Sequence, residues 1–332
     1  MNNFIDIETN VDTDKTIDNQ YQMATAFEEK EKEKEPIRHL IISGGGPSGI
    51  QTLGALQYLE EHGVWKIENI ESIYSVSVGG LLSVLMALRF DWPTINDYIL
   101  KRPWHEAVQL EVSQVFDMFS KKGLYDVSIA KIFFKPFFDV RDISLEITLK
   151  DFYEVTKIEL HFITTDLNSF EIEDLCYISH PELKLIECVY MSATIPILFS
   201  PICMNGKCYL DGGMIMNYPL PYCVKAIGKE KEAQILGFKN VYTKKPFGSI
   251  SKESTILEFA TAIISKLVGR TQGSTEAGQS ISNEVLCETF QMSFFYLHEG
   301  IHSREKREEL LKLGRLSGEN FYNCVWLSSC NT

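Results

Sequence analysis

Three short runs of small residues carry the residue types that acyl-transfer chemistry needs. The first is Gly44-Gly45-Gly46-Pro47-Ser48-Gly49, which follows a short apolar stretch. Its spacing fits G-x-G-x-x-G, the cradle of a dinucleotide phosphate. It equally fits an oxyanion hole, because successive glycines free backbone N–H groups to aim at a developing anion beside a helix N-terminus. A nicotinamide-dependent oxidoreductase would also need a ribose-binding acid about 20 residues further on. Glu68 and Glu71 fall there, but neither ends an apolar strand.

The second run is Ser75-Val76-Ser77-Val78-Gly79-Gly80. It lies where a strand should turn sharply into a helix, the setting of a nucleophile elbow. Such an elbow needs small residues two before and two after the serine. Gly79 meets that need and Ser75 meets it less fully. The plainer reading is a strand–helix connection with serines capping the helix.

The third is Tyr209-Leu210-Asp211-Gly212-Gly213. By itself Asp-Gly between apolar residues is a hairpin turn. Beside the other two runs, Asp211 becomes a candidate general base, with Gly212 and Gly213 leaving room for close approach of another chain. An α/β-hydrolase triad would instead draw a histidine from His298 or His302, which only chain order recommends.

The elements that must hold these runs follow from hydrophobic pattern. His39 to Ser43 reads as a strand entering the glycine loop. A helix follows with Ile50, Leu53, Leu56 and Leu59 near helical spacing and Gly63 as its stop. Ser72 to Val76 is a second strand. Val78 to Phe90 is a nearly all-apolar helix, to be buried on every side. This alternation predicts a right-handed βαβ unit and a parallel sheet. Strands are expected at Glu159–Thr165 and Ala233–Phe238, with a turn at Asp166–Ser169 and a helix over Leu183–Ser192. Beyond about residue 245 the pattern turns helical, at Ile256–Val268 and Ser303–Phe321.

Residues 1–38 carry ten acidic and five basic side chains and read as a mobile acidic tail. The expected organisation is therefore a tail over 1–38, a hydrolase-type domain over 39–245 and a helical C-terminal extension over 246–332. The net charge of −13 argues against a nucleic-acid partner. The start has the apolar core of neither a secretory signal nor a membrane span. The eight cysteines form no CxxC pair, and Cys203 and Cys208 flank Asn205-Gly206 without a metal-ligand pattern. The expectation is a cytoplasmic protein with free thiols. Phe133-Phe134-Lys135-Pro136-Phe137-Phe138 reads chiefly as core, and otherwise as the lining of an acyl channel. The helix over Ile256–Val268 reads as packed on the main domain, and otherwise as interfacial.

Taken together and in order, these motifs resemble the patatin-like phospholipases over roughly 200 residues, His39 to Phe238. In that family a glycine-rich oxyanion loop follows the first strand, a G-x-S-x-G serine the second, and a D-G-G or D-G-A motif carries the aspartate. Ser192-Ala193-Thr194-Ile195-Pro196-Ile197-Leu198-Phe199-Ser200-Pro201, Asn217-Tyr218-Pro219 and Thr165-Asp166-Leu167-Asn168 resemble three further family segments. The resemblance implies a three-layer α/β/α sandwich with a mainly parallel sheet. It implies a Ser77–Asp211 dyad and an oxyanion hole from Gly44, Gly45 and Gly46, with neither catalytic histidine, metal nor cofactor. The implied substrate is a phospholipid, lysophospholipid or neutral acylglycerol, met by peripheral membrane contact. Two positions depart from the pattern. Ser75 replaces the first glycine of the elbow, and Ser48 stands where the loop usually carries Lys or Arg. Those departures leave a lipid-binding or scaffold protein as the non-enzymatic alternative. Partial desolvation of Asp211 is expected to raise its basicity.

Overall fold

The computed structural model describes residues 34–109, 112–242, 249–275, 280–291 and 293–328. All but the last five residues of the expected acidic tail lie outside the described residues. Its final residues are built into the fold: Ile37 is buried, and Arg38 pairs with Glu71.

Among the described residues, ten strands and nine of the helices position the site. In chain order the first elements are β1 (His39–Ile42), α1 (Gly49–Glu61), β2 (Ser72–Val76), α2 (Val78–Ala87) and α3 (Trp92–Lys101). Next come β3 (Gly123–Tyr125), α4 (Ser128–Val140), β4 (Glu159–Asp166), β5 (Glu171–Leu175) and α5 (Leu185–Ser192). Then follow β6 (Ile197–Phe199), β7 (Ile202–Met204), β8 (Lys207–Asp211), α6 (Leu220–Ile227) and β9 (Ile235–Val241). The last are α7 (Ile256–Thr275), β10 (Glu284–Glu288), α8 (Phe294–His302) and α9 (Arg304–Phe321).

The central sheet runs β10-β9-β1-β2-β4-β8-β7, with β5 also on β4. The β10, β9, β1, β2 and β4 ladders are parallel, and β5, β7 and β8 add antiparallel pairings. The sheet is thus mainly parallel, and helices cover it on both faces, as expected. Strand alternation feeds two cores. Leu40 and Ile42 of β1 join the larger one with α1 and α2, while Ile41 joins Tyr74, Tyr218, Leu220 and Cys223 on the other face.

Register explains how residues far apart in sequence meet. Val76, the last residue of β2, pairs with Ile163 of β4. The next residue of β4, Thr164, pairs with Asp211. β8 therefore continues the line of β2 beyond its end, and Asp211 arrives where the chain turns away at Ser77.

The segment after residue 245 forms the expected helices, and between them a strand. β10 pairs in parallel with β9 at the edge of the sheet, and α9 packs along α1. Phe134, Phe137 and Phe138 are core, as the primary reading of the aromatic run predicts. The expectation of free thiols needs correction at one pair. Cys203 and Cys208 are directly opposed on the β7–β8 hairpin and form a disulfide. The Asn205-Gly206 turn, with both residues at positive φ, folds the two strands back and brings the sulfurs together. The Asp-Gly sequence at 211–212, by contrast, is no hairpin: β8 passes there into a 3-10 turn over Gly212–Met214.

Candidate active site

Ser77 takes φ 55° and ψ −124° between β2 and α2. A non-glycine residue held there is strained, and such strain persists where the surrounding structure fixes it. Three contacts fix it here. The Ser77 N–H donates to Ser192 O and to Ser192 Oγ, each at 3.1 Å. Ser192 Oγ in turn donates to Ile163 O at 2.6 Å. On the helix side, a Cβ at Gly79 would stand 2.7 Å from Ile42 O, so only glycine lets α2 leave the sheet at that angle. Ser75 fits where the family has glycine, because its buried hydroxyl donates to His161 O at 3.0 Å.

Asp211 is held by the same short turn that holds Ser77. Its N–H donates to Thr194 O at 2.9 Å, two residues beyond Ser192. Its carboxylate accepts from the Gly213 N–H at 2.7 Å and lines the same cavity as Ser77. Gly212 lets β8 lie against β4, since a Cβ there would stand 2.3 Å from Ile163 O. Burial lifts the Asp211 carboxyl to about 6, against the opposing pull of the nearby Ser77 hydroxyl and the Gly213 N–H. This is the direction expected for a carboxylate serving as a base.

The glycine loop lies across the mouth of the elbow. Gly45 and Gly46 have positive φ, and both line a cavity of about 80 Å³ with Ser77 and Asp211. Gly44 differs: its N–H faces Asn217 O at 3.4 Å, and its carbonyl accepts amide protons from Asn217 at 3.1 Å and Asn240 at 2.5 Å. Gly44 thus anchors the loop, while Gly45 and Gly46 face the cavity. Ser48 is wholly buried, donates to Gly45 O at 3.0 Å and accepts from Asn240 Nδ2 at 3.0 Å. It braces the loop from behind. Sequence reasoning missed Asn240 and gave Ser192 and Thr194 no separate role.

A second, more apolar cavity of about 250 Å³ also opens on Ser77, between Leu81, Ile99, Phe133, Phe199 and Ile301. The helix α7 closes the other side of the first cavity with Thr261, Ile264, Ser265 and Val268. Ile256, Phe259, Ile263 and Leu267 of the same helix are exposed to solvent. None of the seven histidines lines either cavity, and His298 and His302 are exposed and stacked on each other at 3.8 Å. The structure therefore brings no histidine to Ser77 and Asp211. Glu71 pairs with Arg38 and Glu68 lies in a 3-10 turn, so the loop has no ribose-binding acid at a strand end either.

The model of the patatin-like phospholipases matches residues 40–224, more than half of the chain, including the glycine loop, Ser77, Ser192, Thr194 and Asp211. The chain belongs to that family. Two curated relatives are viral. A protein of Invertebrate iridescent virus 6 named as a probable lipid hydrolase is 26% identical over 193 residues, covering 58% of this chain and 65% of that one. An uncharacterized protein of Acanthamoeba polyphaga mimivirus is 25% identical over 199 residues, covering 58% and 63%. The matched region spans less than two thirds of either relative. Among solved structures, VipD from Legionella pneumophila shares the fold, with a TM-score of 0.52 at 18% identity over 92% of this chain and 73% of that one. No described helix is long and apolar enough to cross a membrane.

Proposed function

We propose that this patatin-like chain is a serine acyl hydrolase that cleaves fatty-acyl esters of membrane lipids, as a phospholipase A or lysophospholipase does. The observation that carries the reading is the strained Ser77 and the buried Asp211 lining one cavity, with burial raising the basicity of the carboxylate. Ser77 Oγ attacks the ester carbonyl as its proton passes to Asp211. The N–H groups of Gly45 and Gly46 receive the oxyanion, and each such donor typically contributes about 10²–10³ in turnover. The tetrahedral intermediate collapses by breaking the bond to the alcohol, which takes the proton from Asp211 and leaves an acyl-serine. Water then attacks the acyl-serine with Asp211 again as base, releasing the fatty acid and restoring Ser77.

The lipid part of the reading has two supports. The apolar cavity beside Ser77 suits an acyl chain, and the exposed stripe on α7 gives the mouth a surface that would sit in lipid. The viral relative's name agrees with it.

The test compares the wild type with Ser77→Ala and Asp211→Asn on p-nitrophenyl butyrate and on phosphatidylcholine vesicles. Both variants should lose about 10³ or more in turnover while remaining folded, and a fluorophosphonate should label the wild type but not Ser77→Ala. A folded wild type that neither reacts with the probe nor cleaves any ester would reduce the chain to a lipid-binding protein.

A further inference from the structure

Away from Ser77, one face of the central sheet gathers four groups that ester cleavage does not use. On β4, His161 pairs with Tyr74 of β2. The β4–β5 register, which pairs Phe162 with Leu175, sets Cys176 opposite His161 on the other side. Glu159 and Asp174 stand two residues from His161 and Cys176 along their own strands, so all four side chains share that face.

The geometry around the imidazole is that of a ligand held ready. Its ring stacks on Tyr74 with centroids 3.8 Å apart. Nδ1 lies 2.8 and 3.0 Å from the two carboxylate oxygens of Asp174, which fixes the ring's orientation. Nε2 is buried and has no aligned hydrogen-bond partner, although Glu159 Oε1 lies 3.3 Å away. Cys176 is a buried thiol outside any disulfide, with Ser179 Oγ at 3.3 Å from its sulfur. One ligand atom from each of Glu159, His161 and Cys176 lies within 4.8 Å of the others. Tetrahedral ligands of zinc stand about 3.5 Å apart, so closing around an ion takes about 1 Å of side-chain movement.

We propose that Glu159, His161 and Cys176 bind one zinc-type divalent cation through Oε, Nε2 and Sγ. A mixed O, N and S donor set selects a borderline-soft ion over magnesium or calcium. Asp174 supplies the carboxylate that ligating histidines usually carry on their other nitrogen. Cys176 gives up its proton to solvent on binding, and water takes the fourth position. The ion ties the end of β5 to β4, where Ile163 accepts from Ser192, the brace of Ser77, and Thr164 pairs with Asp211. Its role is structural: it stabilises the strand on which the dyad is registered.

The experiment titrates the demetallated full-length chain with Co²⁺, a spectroscopic stand-in for zinc. One equivalent should produce a thiolate-to-cobalt charge-transfer band together with tetrahedral ligand-field bands, and Zn²⁺ should displace it. Cys176→Ser should abolish the charge-transfer band. Asp174→Asn should weaken binding about 10–100-fold, as loss of an outer carboxylate does. Zn²⁺ should raise the Tm of the wild type, through binding to the folded state alone. A folded wild type with neither band nor Zn²⁺-dependent Tm shift overturns the proposal, and so does a charge-transfer band that persists in Cys176→Ser. The wild-type measurements decide the matter even where a variant fails to fold.

Discussion

Asn240 reaches from the end of β9 to the glycine loop, placing Nδ2 2.5 Å from Gly44 O and 3.0 Å from Ser48 Oγ. One amide thus ties the sheet to the two residues that bracket the cavity-facing glycines. Oxyanion donors contribute only when held where the charge forms, and misplacement by about 1 Å can cost about 10²-fold. Asn240→Leu should lower kcat about 10–100-fold with little change in KM, because the loop shifts while the acyl cavity stays intact. Steady-state kinetics on a soluble ester check this. A variant with wild-type kcat would show that Gly45 and Gly46 need no support from β9.

The raised carboxyl of Asp211 makes two pH predictions of opposite sign. In the proposed mechanism Asp211 must be ionised to accept the Ser77 proton, so kcat/KM should climb about tenfold per pH unit up to about 6 and then level off. Stability runs the other way. The folded chain holds the Asp211 proton at pH values where the unfolded chain has already lost it. This contribution is therefore fully present below about pH 4, and is lost as pH rises toward 6. A shift from 3.8 to about 6 corresponds to about 3 kcal/mol of stability forgone at neutral pH. Asp211→Asn should therefore be inactive yet more stable than the wild type at pH 7, with the difference shrinking toward pH 4. Chemical denaturation of both proteins at a series of pH values measures it.

Gly79→Ala should injure both fold and chemistry. Its Cβ would meet two backbone carbonyls, 2.7 Å from Ile42 O and 3.2 Å from Ser43 O, and neither has a flexible end to move. Overpacking of this kind typically costs about 1–3 kcal/mol. Because α2 starts next to Ser77, the relief would tilt the elbow, and fluorophosphonate labelling should slow more than the Tm alone suggests. Labelling at the wild-type rate in a folded Gly79→Ala chain would show that the elbow tolerates a methyl group.

The meeting of Ser77 and Asp211 at one cavity was legible because the constraints on each are local. Ser77 and Asp211 each need small neighbours at fixed offsets, and the clashes at Gly79 and Gly212 explain why those offsets survive in the sequence. The braces were not legible. Ser192, Thr194 and Asn240 act through hydrogen bonds to residues far away in the chain, and nothing in their own surroundings marks that role. Ser48 looked like the loss of a cation, whereas its burial makes it a part of the loop's support. The strand β10 was missed because its alternation, Val285 and Cys287 inward and Leu286 outward, spans only five residues after a polar stretch. The Cys203–Cys208 pairing depended on hairpin register, which spacing alone does not disclose.

The exposed stripe of α7 leads to a prediction that separates membrane contact from chemistry. Phe259 and Leu267 point away from the cavity that Ile264 and Val268 line. Phe259→Ser and Leu267→Ser should each weaken sedimentation with phosphatidylcholine vesicles by about tenfold, from the apolar area kept out of lipid. Hydrolysis of p-nitrophenyl butyrate, which needs no interface, should be unchanged. A comparable loss of p-nitrophenyl butyrate hydrolysis would assign the stripe to packing.

The apolar cavity predicts how rate should depend on acyl length. Each methylene that leaves water for the surface formed by Leu81, Ile99, Phe133 and Phe199 gains about 0.8 kcal/mol, which is about fourfold in kcat/KM. A series of p-nitrophenyl esters should therefore rise in steps of about that size and then flatten once the chain has filled the cavity. Leu81→Trp would take up part of the space, so its plateau should begin at a shorter chain, with butyrate hydrolysis nearly unaffected. Gain that continues unchanged in Leu81→Trp would mean that the acyl chain lies elsewhere, and the smaller cavity under α7 would become the place to look.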